Sequence, residues 1–417
     1  MIAGTTHIVG AGLAGLSAAV QLVRQGRKVV VHELARHAGG RCRSYFEPAL
    51  GLTIDNGNHL LLSGNKSAIA FLDAIGGRHL LASPDQAEFT FYDVASDKRW
   101  VLRPNDGPLP WWIFSKHRRV PGTQARDYLA LGNLLFASET DTVTQRISSH
   151  TDVYRKLMHP VLLAALNCDP AEGSAKLAGA VVRETLARGG NACRPLFAPN
   201  GLGPALVDPA VTFIRENGGD VRFDTAVRGL DYADGRVAAL KFVDTTLTIA
   251  PRDNVILAVP GWVARTLVPD LKVPTEYRAI FNAHFKIAPS ADMAKITGVV
   301  NATTEWLFAF DDRLSVTVSS ADRFNETERE PLARQIWLEV AKIAGLGDAL
   351  PPWLIVKERR ATFAATPQQN ALRPSAVTPW VNLHLAGDWT ATGLPATIEG
   401  AIRSGESAAE LAMKSGI

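Results

Sequence analysis

Thr6-His7-Ile8-Val9-Gly10-Ala11-Gly12-Leu13-Ala14-Gly15-Leu16-Ser17-Ala18-Ala19-Val20-Gln21-Leu22-Val23 decides the fold of this 417-residue chain. Thr6 to Val9 is short and β-prone, and the residues after Gly15 carry apolar side chains at helical spacing. Gly26 follows as a helix stop, and Lys28-Val29-Val30-Val31-His32-Glu33 reads as the next strand. Strand, GxGxxG turn, helix and strand make a complete βαβ unit. In such a unit the first glycine permits the tight turn. The second lets backbone approach a pyrophosphate, and the third lets helix and strand pack closely. Phosphate charge then rests on unpaired N–H groups at the helix start, so Gly10, Gly12, Leu13, Ala14 and Gly15 form the expected dinucleotide cradle. Glu33, 18 residues past Gly15, ends the second strand and is placed to accept ribose hydroxyls and repel a 2′-phosphate.

A second strand-and-turn, Leu383-His384-Leu385-Ala386-Gly387-Asp388-Trp389, lies near the other end of the chain. One long dinucleotide held by residues so far apart in sequence points to FAD. After Glu33 come Gly39, Gly40 and Arg41, which allow close backbone approach and set a fixed positive charge beside the phosphates. This segment resembles the Gly-Gly motif of the amine oxidase and phytoene desaturase flavoproteins.

Composition narrows the class. Hydrophobic residues make up 47%, enough for one large or two medium cores, and the net charge of +3 with no Lys/Arg block excludes a nucleic-acid binder. Cys42, Cys168 and Cys193 show no CxxC spacing, so neither a disulfide framework nor a metal site is expected. With no signal-peptide pattern and no apolar run long enough to cross a bilayer, the expected location is cytoplasmic, soluble or peripheral on the inner face of the membrane. The βαβ texture occupies residues 1–83, returns at 201–265 with a hairpin signal at Asp234-Gly235, and returns again at 361–417. Residues 84–200 (prolines, paired tryptophans, helix-like segments) and 266–360 are insertions. The expected fold is α/β: an FAD-binding Rossmann-like domain of the GR2 flavoprotein type interleaved with a mixed α+β substrate domain.

Two further stretches carry candidate chemistry. Asp55-Asn56-Gly57-Asn58-His59 offers a carboxylate, two amides and an imidazole around a glycine, able to line the flavin or meet a substrate hydroxyl; capping groups at a strand-to-helix turn would look the same. After Gly387-Asp388, a helix expected to start at a first-turn proline, Pro395, turns the N–H groups of Ala396, Thr397 and Ile398 toward the flavin carbonyls. Small residues Gly400, Ala401, Ser404, Gly405 and Ala408 allow this helix to approach the first one. Val227, in the β-prone stretch 226–230, completes the cofactor set with Gly57, Asn58, His59, Gly387 and Asp388.

Together the turn at 10–15, the segments 39–44, 55–65 and 389–401, and the insertion motifs Arg-Pro-Asn-Asp-Gly (103–107), Leu-Pro-Trp-Trp-Ile-Phe (109–114), Leu-Ala-Arg-Gly-Gly (186–190), Asn-Ala-His-Phe (282–285) and 357–367 resemble the bacterial squalene-associated FAD-dependent desaturases over the whole chain. The resemblance implies reduction of hydroxysqualene, a lipidic isoprenoid, to squalene: loss of water at an allylic carbon and hydride from reduced FAD. Enzymes of the same squalene and hopanoid pathway are implied partners; no second nicotinamide motif names an electron donor. A leaving hydroxide needs a proton or hydrogen-bond donor; Asp55 and His59 come first, with Asn58 and Glu399 behind. Trp111, Trp112 and Phe114 read either as membrane or substrate contacts or as a core plug. An oxidative desaturase or amine oxidase of the same fold, and a non-catalytic FAD scaffold, stay open as alternatives.

Overall fold

β1 (Thr5–Val9), α1 (Leu13–Arg24) and β2 (Lys28–His32) form the βαβ unit, the strands paired in parallel from Thr5 with Lys28 to Val9 with His32. The computed structural model describes residues 4–415. Gly10 sits at φ +106°, and a Cβ on Gly15 would stand 2.0 Å from the Gly10 carbonyl oxygen, so strand end and helix start touch backbone to backbone. β1 and β2 lie in a five-stranded parallel sheet whose order is Leu383–Leu385, Asn254–Leu257, β1, β2, Asp220–Arg222. Three distant stretches of chain thus supply one sheet. The strand Asn254–Leu257 is buried on both faces, as expected of a parallel sheet covered on each side.

α1 is caught between that sheet and the C-terminal helix Ile398–Ser415, and ten of its twelve residues are buried. The small residues read from the sequence explain the close approach. A Cβ on Gly405 would lie 2.2 Å from the Ala14 carbonyl oxygen, and Ser17 Oγ donates to the Ile402 carbonyl at 2.9 Å.

A seven-stranded mixed sheet runs in the order Trp353–Phe363, Tyr277–Phe285, Leu314–Val318, Trp306–Ala309, Ile296–Val300, Phe89–Asp93, Lys98–Leu102. One face packs on the helix Arg329–Ala344 through Phe281, Phe285, Leu314, Val316, Trp337 and Val340. The opposite face holds Phe91, Trp306 and Phe308 in a second core with the helical segments of 111–184. The hairpin 89–102 departs from the helix-like reading of that region; aromatic and β-branched residues flank a turn at Asp97 (φ +55°). The Leu314–Val318 alternation also differs from an ordinary half-exposed strand. All five residues are buried, because Ser315 and Thr317 face other protein rather than water.

Asp234 (φ +51°) and Gly235 (φ +73°) close the expected hairpin, both with positive φ as a primed turn requires. Its first strand is Gly229–Ala233, not 226–230. The preceding segment is drawn to the parallel sheet instead, where Thr225 N–H donates to the Glu33 carbonyl at 2.7 Å.

Gly405→Ala should force the two helices apart at the cofactor sheet. Overpacking of this kind costs about 1–3 kcal/mol, and a thermal melt of the variant against the parent should show a lowered midpoint; an unchanged midpoint would mean that the helix contact is slack.

His7 on β1 and His32 on β2 stack with ring centroids 5.6 Å apart and ring nitrogens 3.3 Å apart. Burial pushes both pKa values down, His32 to about 4 with the charge of His7 adding to the shift. The unfolded chain therefore binds more protons than the folded one between about pH 6.5 and 4, and stability falls as pH drops through that window. At 1.36 kcal/mol per unit the His32 contribution is about 3 kcal/mol. Urea midpoints should fall from pH 7 to pH 5, and fall less steeply in His32→Gln; parallel profiles would remove His32 from the account.

Candidate active site

The start of α1 has no side-chain cap and no acidic residue in its first turn, so its N–H groups stay open to an anion. A Cβ on Gly12 would meet nothing within 4 Å, which leaves free space on the side where a ligand would approach. Gly39, at φ +104°, pairs with Gly12 and donates to the Ala11 carbonyl at 2.8 Å, laying the Gly-Gly turn against the GxGxxG turn. Glu33 is half-buried at the end of β2 and accepts from the Ala11 N–H at 2.7 Å and the Ala35 N–H at 2.8 Å. Those two bonds hold its carboxylate and leave acceptor capacity, since a carboxylate offers about four lone-pair sites. Val227 is half-buried, two residues past the Thr225 bond to Glu33.

Arg41 joins the two ends of the chain. Its Nη2 donates to Asp388 Oδ1 at 2.7 Å and its Nη1 to the Ala361 carbonyl. The Asp388 carboxylate holds the guanidinium charge against burial. Gly387, at φ +147°, has its N–H on Ser404 Oγ at 2.7 Å, and a Cβ there would strike the Trp389 indole, whose Nε1 is tied to the Val259 carbonyl at 2.9 Å.

Arg373 was not foreseen. It is buried beneath this turn and donates to the carbonyls of Asp388 and Thr390 and to Thr392 Oγ1, and burial lowers its pKa to about 10. A single arginine in a run of turn residues carries no sequence signal of that role. The helix that follows starts at Ile398, later than expected. Thr397 caps it by accepting the Gly400 N–H at 3.0 Å, and Pro395 and Ala396 belong to the approach.

In the 55–59 segment the residues separate. Asp55 is buried at the end of the strand Leu52–Asp55; it accepts from Ser44 Oγ at 2.5 Å and the Leu202 N–H at 2.9 Å, pinning the turn at 201–203. Burial raises its pKa while these two bonds oppose the rise. His59 is half-buried with its pKa pushed to about 4, first by desolvation and then by the charge of Arg41. At neutral pH it is a neutral imidazole and not a stored proton. Asn58 meets the seven-stranded sheet: its N–H donates to Asn282 Oδ1 at 3.2 Å and its Nδ2 to Thr317 Oγ1 at 3.3 Å.

Glu399 is bonded elsewhere in the fold. Its carboxylate accepts the Ser67 and Ala68 N–H groups at 3.1 and 2.8 Å, capping α2 (Lys66–Ile75), and pairs with Arg403 at 2.9 Å. Three hydrogen bonds thus already engage its carboxylate.

The tryptophan cluster splits in two. Trp112 is buried edge-on to Tyr128 with centroids 5.1 Å apart, so the core reading holds for it. Trp111 and Phe114 are about two-thirds exposed, at 65% and 66%, as is Leu109 at 62%. Among the described residues no helix is long and apolar enough to cross a membrane, and no cluster of His, Cys, Asp and Glu could hold a metal.

Residues 13–413 match the model of the flavin containing amine oxidoreductase family. Hydroxysqualene dehydroxylase of Rhodopseudomonas palustris is 54% identical over 413 residues, covering 99% of each chain. The protein of the same name from Zymomonas mobilis is 45% identical over 98% of this chain and 99% of its own. Among solved structures, cyclohexylamine oxidase from Brevibacterium oxydans superposes with a TM-score of 0.73 at 16% identity over 99% of both chains. An oxidoreductase from Methanosarcina mazei gives 0.72 at 15%, over 97% of this chain and 100% of its own. At such identities these two show a shared fold. The family match and the full-length relatives place the chain in the flavin containing amine oxidoreductase family, alongside the hydroxysqualene dehydroxylases.

Proposed function

We propose that this protein is an FAD-dependent oxidoreductase that converts hydroxysqualene to squalene. Identity of 45–54% along essentially the whole chain to relatives named for that reaction is the observation that carries the reading. The site fits the cofactor: an uncapped helix start beside the open face of Gly12, a bonded carboxylate at Glu33, and Arg41 bridging to the C-terminal turn.

We assign the pyrophosphate to Gly10, Gly12 and the N–H groups of Leu13, Ala14 and Gly15, and the ribose to Glu33, with Val227 nearby. Gly39, Gly40, Arg41, Gly387 and Asp388 would hold the middle of the cofactor, and Gly57, Asn58, His59 and residues 395–398 the flavin end. Residues 1–83, 201–265 and 361–417 then act as the cofactor domain, and 84–200 with 266–360 as the substrate domain. FAD, when bound and reduced, supplies the hydride that takes the place of the hydroxyl. The chain must hold the substrate carbon at the flavin, help the oxygen depart, and exclude water from a reactive allylic centre. Asp55 and Glu399 serve by positioning: one pins the turn at 201–203 and the other caps α2.

Reduced anaerobically and then mixed with hydroxysqualene, the FAD-loaded protein should regain its oxidised flavin spectrum in step with squalene formation. A flavin that stays reduced in folded, FAD-replete protein would overturn the dehydroxylase reading in favour of an oxidative desaturase or a scaffold.

A lipidic substrate also bears on location. Leu109, Trp111, Phe114, Leu129 and Phe136 are all exposed within residues 109–136, a segment with four Lys/Arg (Lys116, Arg118, Arg119, Arg126) and one carboxylate, Asp127. Exposed aromatic side chains beside cations suit the headgroup region of an anionic bilayer. In flotation assays the protein should bind phosphatidylglycerol vesicles more tightly than phosphatidylcholine vesicles. Trp111→Ser with Phe114→Ser should weaken that binding about tenfold or more; equal binding by parent and double variant would remove this edge from the membrane.

A further inference from the structure

We propose that Asn282 is the residue that recognises the hydroxyl group of the substrate, using an amide N–H that the folded protein leaves buried and unpaired. The proposal rests on the dehydroxylase reading above and adds to it the group that selects an alcohol.

The strand Tyr277–Phe285 shows the placement. Ala279, Phe281, Ala283 and Phe285 point into the core under the helix Arg329–Ala344, which turns Asn282 and His284 to the opposite face. Asn282 is only 1% exposed, a depth at which an amide is stabilised only by hydrogen bonds.

Its oxygen is satisfied. Oδ1 accepts from the Asn58 N–H at 3.2 Å, from Thr317 Oγ at 2.9 Å and, at 3.5 Å, from Asn58 Nδ2. A backbone N–H can only donate, so this network fixes the amide orientation and excludes the flipped one. Nδ2 then carries two N–H donors and has no partner. A buried donor left in that state is destabilising, and an arriving acceptor would recover the cost.

Nδ2 points at the segment that the sequence singles out beside the flavin. A Cβ placed on Gly57 would lie 3.3 Å from it and 3.6 Å from His59 Nε2, so a side chain at 57 would crowd both an amide donor and a neutral imidazole. The strand register sets aromatic side chains on the same face as Asn282. Asn282 pairs with Thr317, Thr317 with Trp306, Trp306 with Gly298, Gly298 with Phe91, and Phe91 with Trp100. Partners in register share a sheet face. One row thus runs from an amide and a hydroxyl to three packed aromatic rings.

The test compares two ligands that differ by that hydroxyl. Binding of hydroxysqualene and of squalene to the oxidised holoenzyme would be read from perturbation of the flavin spectrum, for the parent, Asn282→Leu and Thr317→Val. FAD content and melting temperature are measured alongside. In Asn282→Leu, hydroxysqualene affinity should fall about 10- to 100-fold while squalene affinity holds, so the preference for the alcohol collapses. Thr317→Val, which keeps the amide and loosens its anchor, should show a smaller loss of the same kind. Equal losses for both ligands, or a retained preference, would overturn the proposal. So would a changed flavin spectrum or FAD content with the preference intact, since Asn282 would then serve the cofactor. If Asn282→Leu fails to fold, full preference in Thr317→Val overturns it. A parent that neither binds nor reduces hydroxysqualene sinks the functional reading and this one with it; a parent that does both, beside indifferent variants, sinks this one alone.

Discussion

Close backbone contact around α1 is the constraint from which the nucleotide end of the molecule follows. Gly15 must lie against the Gly10 carbonyl and Gly405 against the Ala14 carbonyl, leaving no room for a side chain at either point. With α1 held on both sides, its uncapped N-terminus has one direction left to face, past Gly12 into open space. The Gly-Gly turn can then pair with Gly12, and Arg41 can reach across to Asp388. Arg373 makes the same architecture durable from below: by donating to successive carbonyls it fixes the shape of a loop with little regular structure of its own.

The second sheet follows a different logic. Its helix-packed face is mostly apolar, while the opposite face changes along the row from amide and hydroxyl to aromatic rings. His284, its Nδ1 2.7 Å from Ser315 Oγ, adds a second polar pair beside Asn282 and Thr317. Buried polar groups weaken a core that could have been apolar, so their retention on one edge of one face calls for a reason beyond stability. The contact with Gly57 and Asn58 supplies it: the polar edge is where the two sheets' functional segments meet.

The nucleotide motifs were legible in the sequence because their chemistry is local. Glycine spacing, a helix start and a strand-ending carboxylate occur within a few dozen residues, and the Asp234-Gly235 hairpin and the small-residue face of the last helix are equally local. What escaped was set by distance. Asn282, Thr317 and Asn58 are separated by up to 259 residues, and only strand register brings them together. The alternation of Leu314–Val318 was visible, but whether Ser315 and Thr317 faced water or a site was not. Glu399 looked like a flavin-side acid by proximity in sequence to Pro395, and its use as the cap of α2 depended on a helix more than 300 residues away. The aromatic cluster 109–114 could be split into core and surface only once Tyr128 was seen against Trp112.

Electrostatics bears on the kind of substrate the proposed site would take. The groups that converge over Gly57 are neutral: an asparagine amide, a threonine hydroxyl contact and a histidine held uncharged near neutral pH. Part of the reason that His59 stays uncharged is the positive charge of Arg41. A protonated amine placed there would lose hydration with no carboxylate among these groups to offset the loss, whereas an alcohol brings an acceptor oxygen and no charge. On the reading proposed above, the desolvation that keeps the imidazole neutral suits an uncharged substrate, and the unpaired amide of Asn282 suits one that carries oxygen.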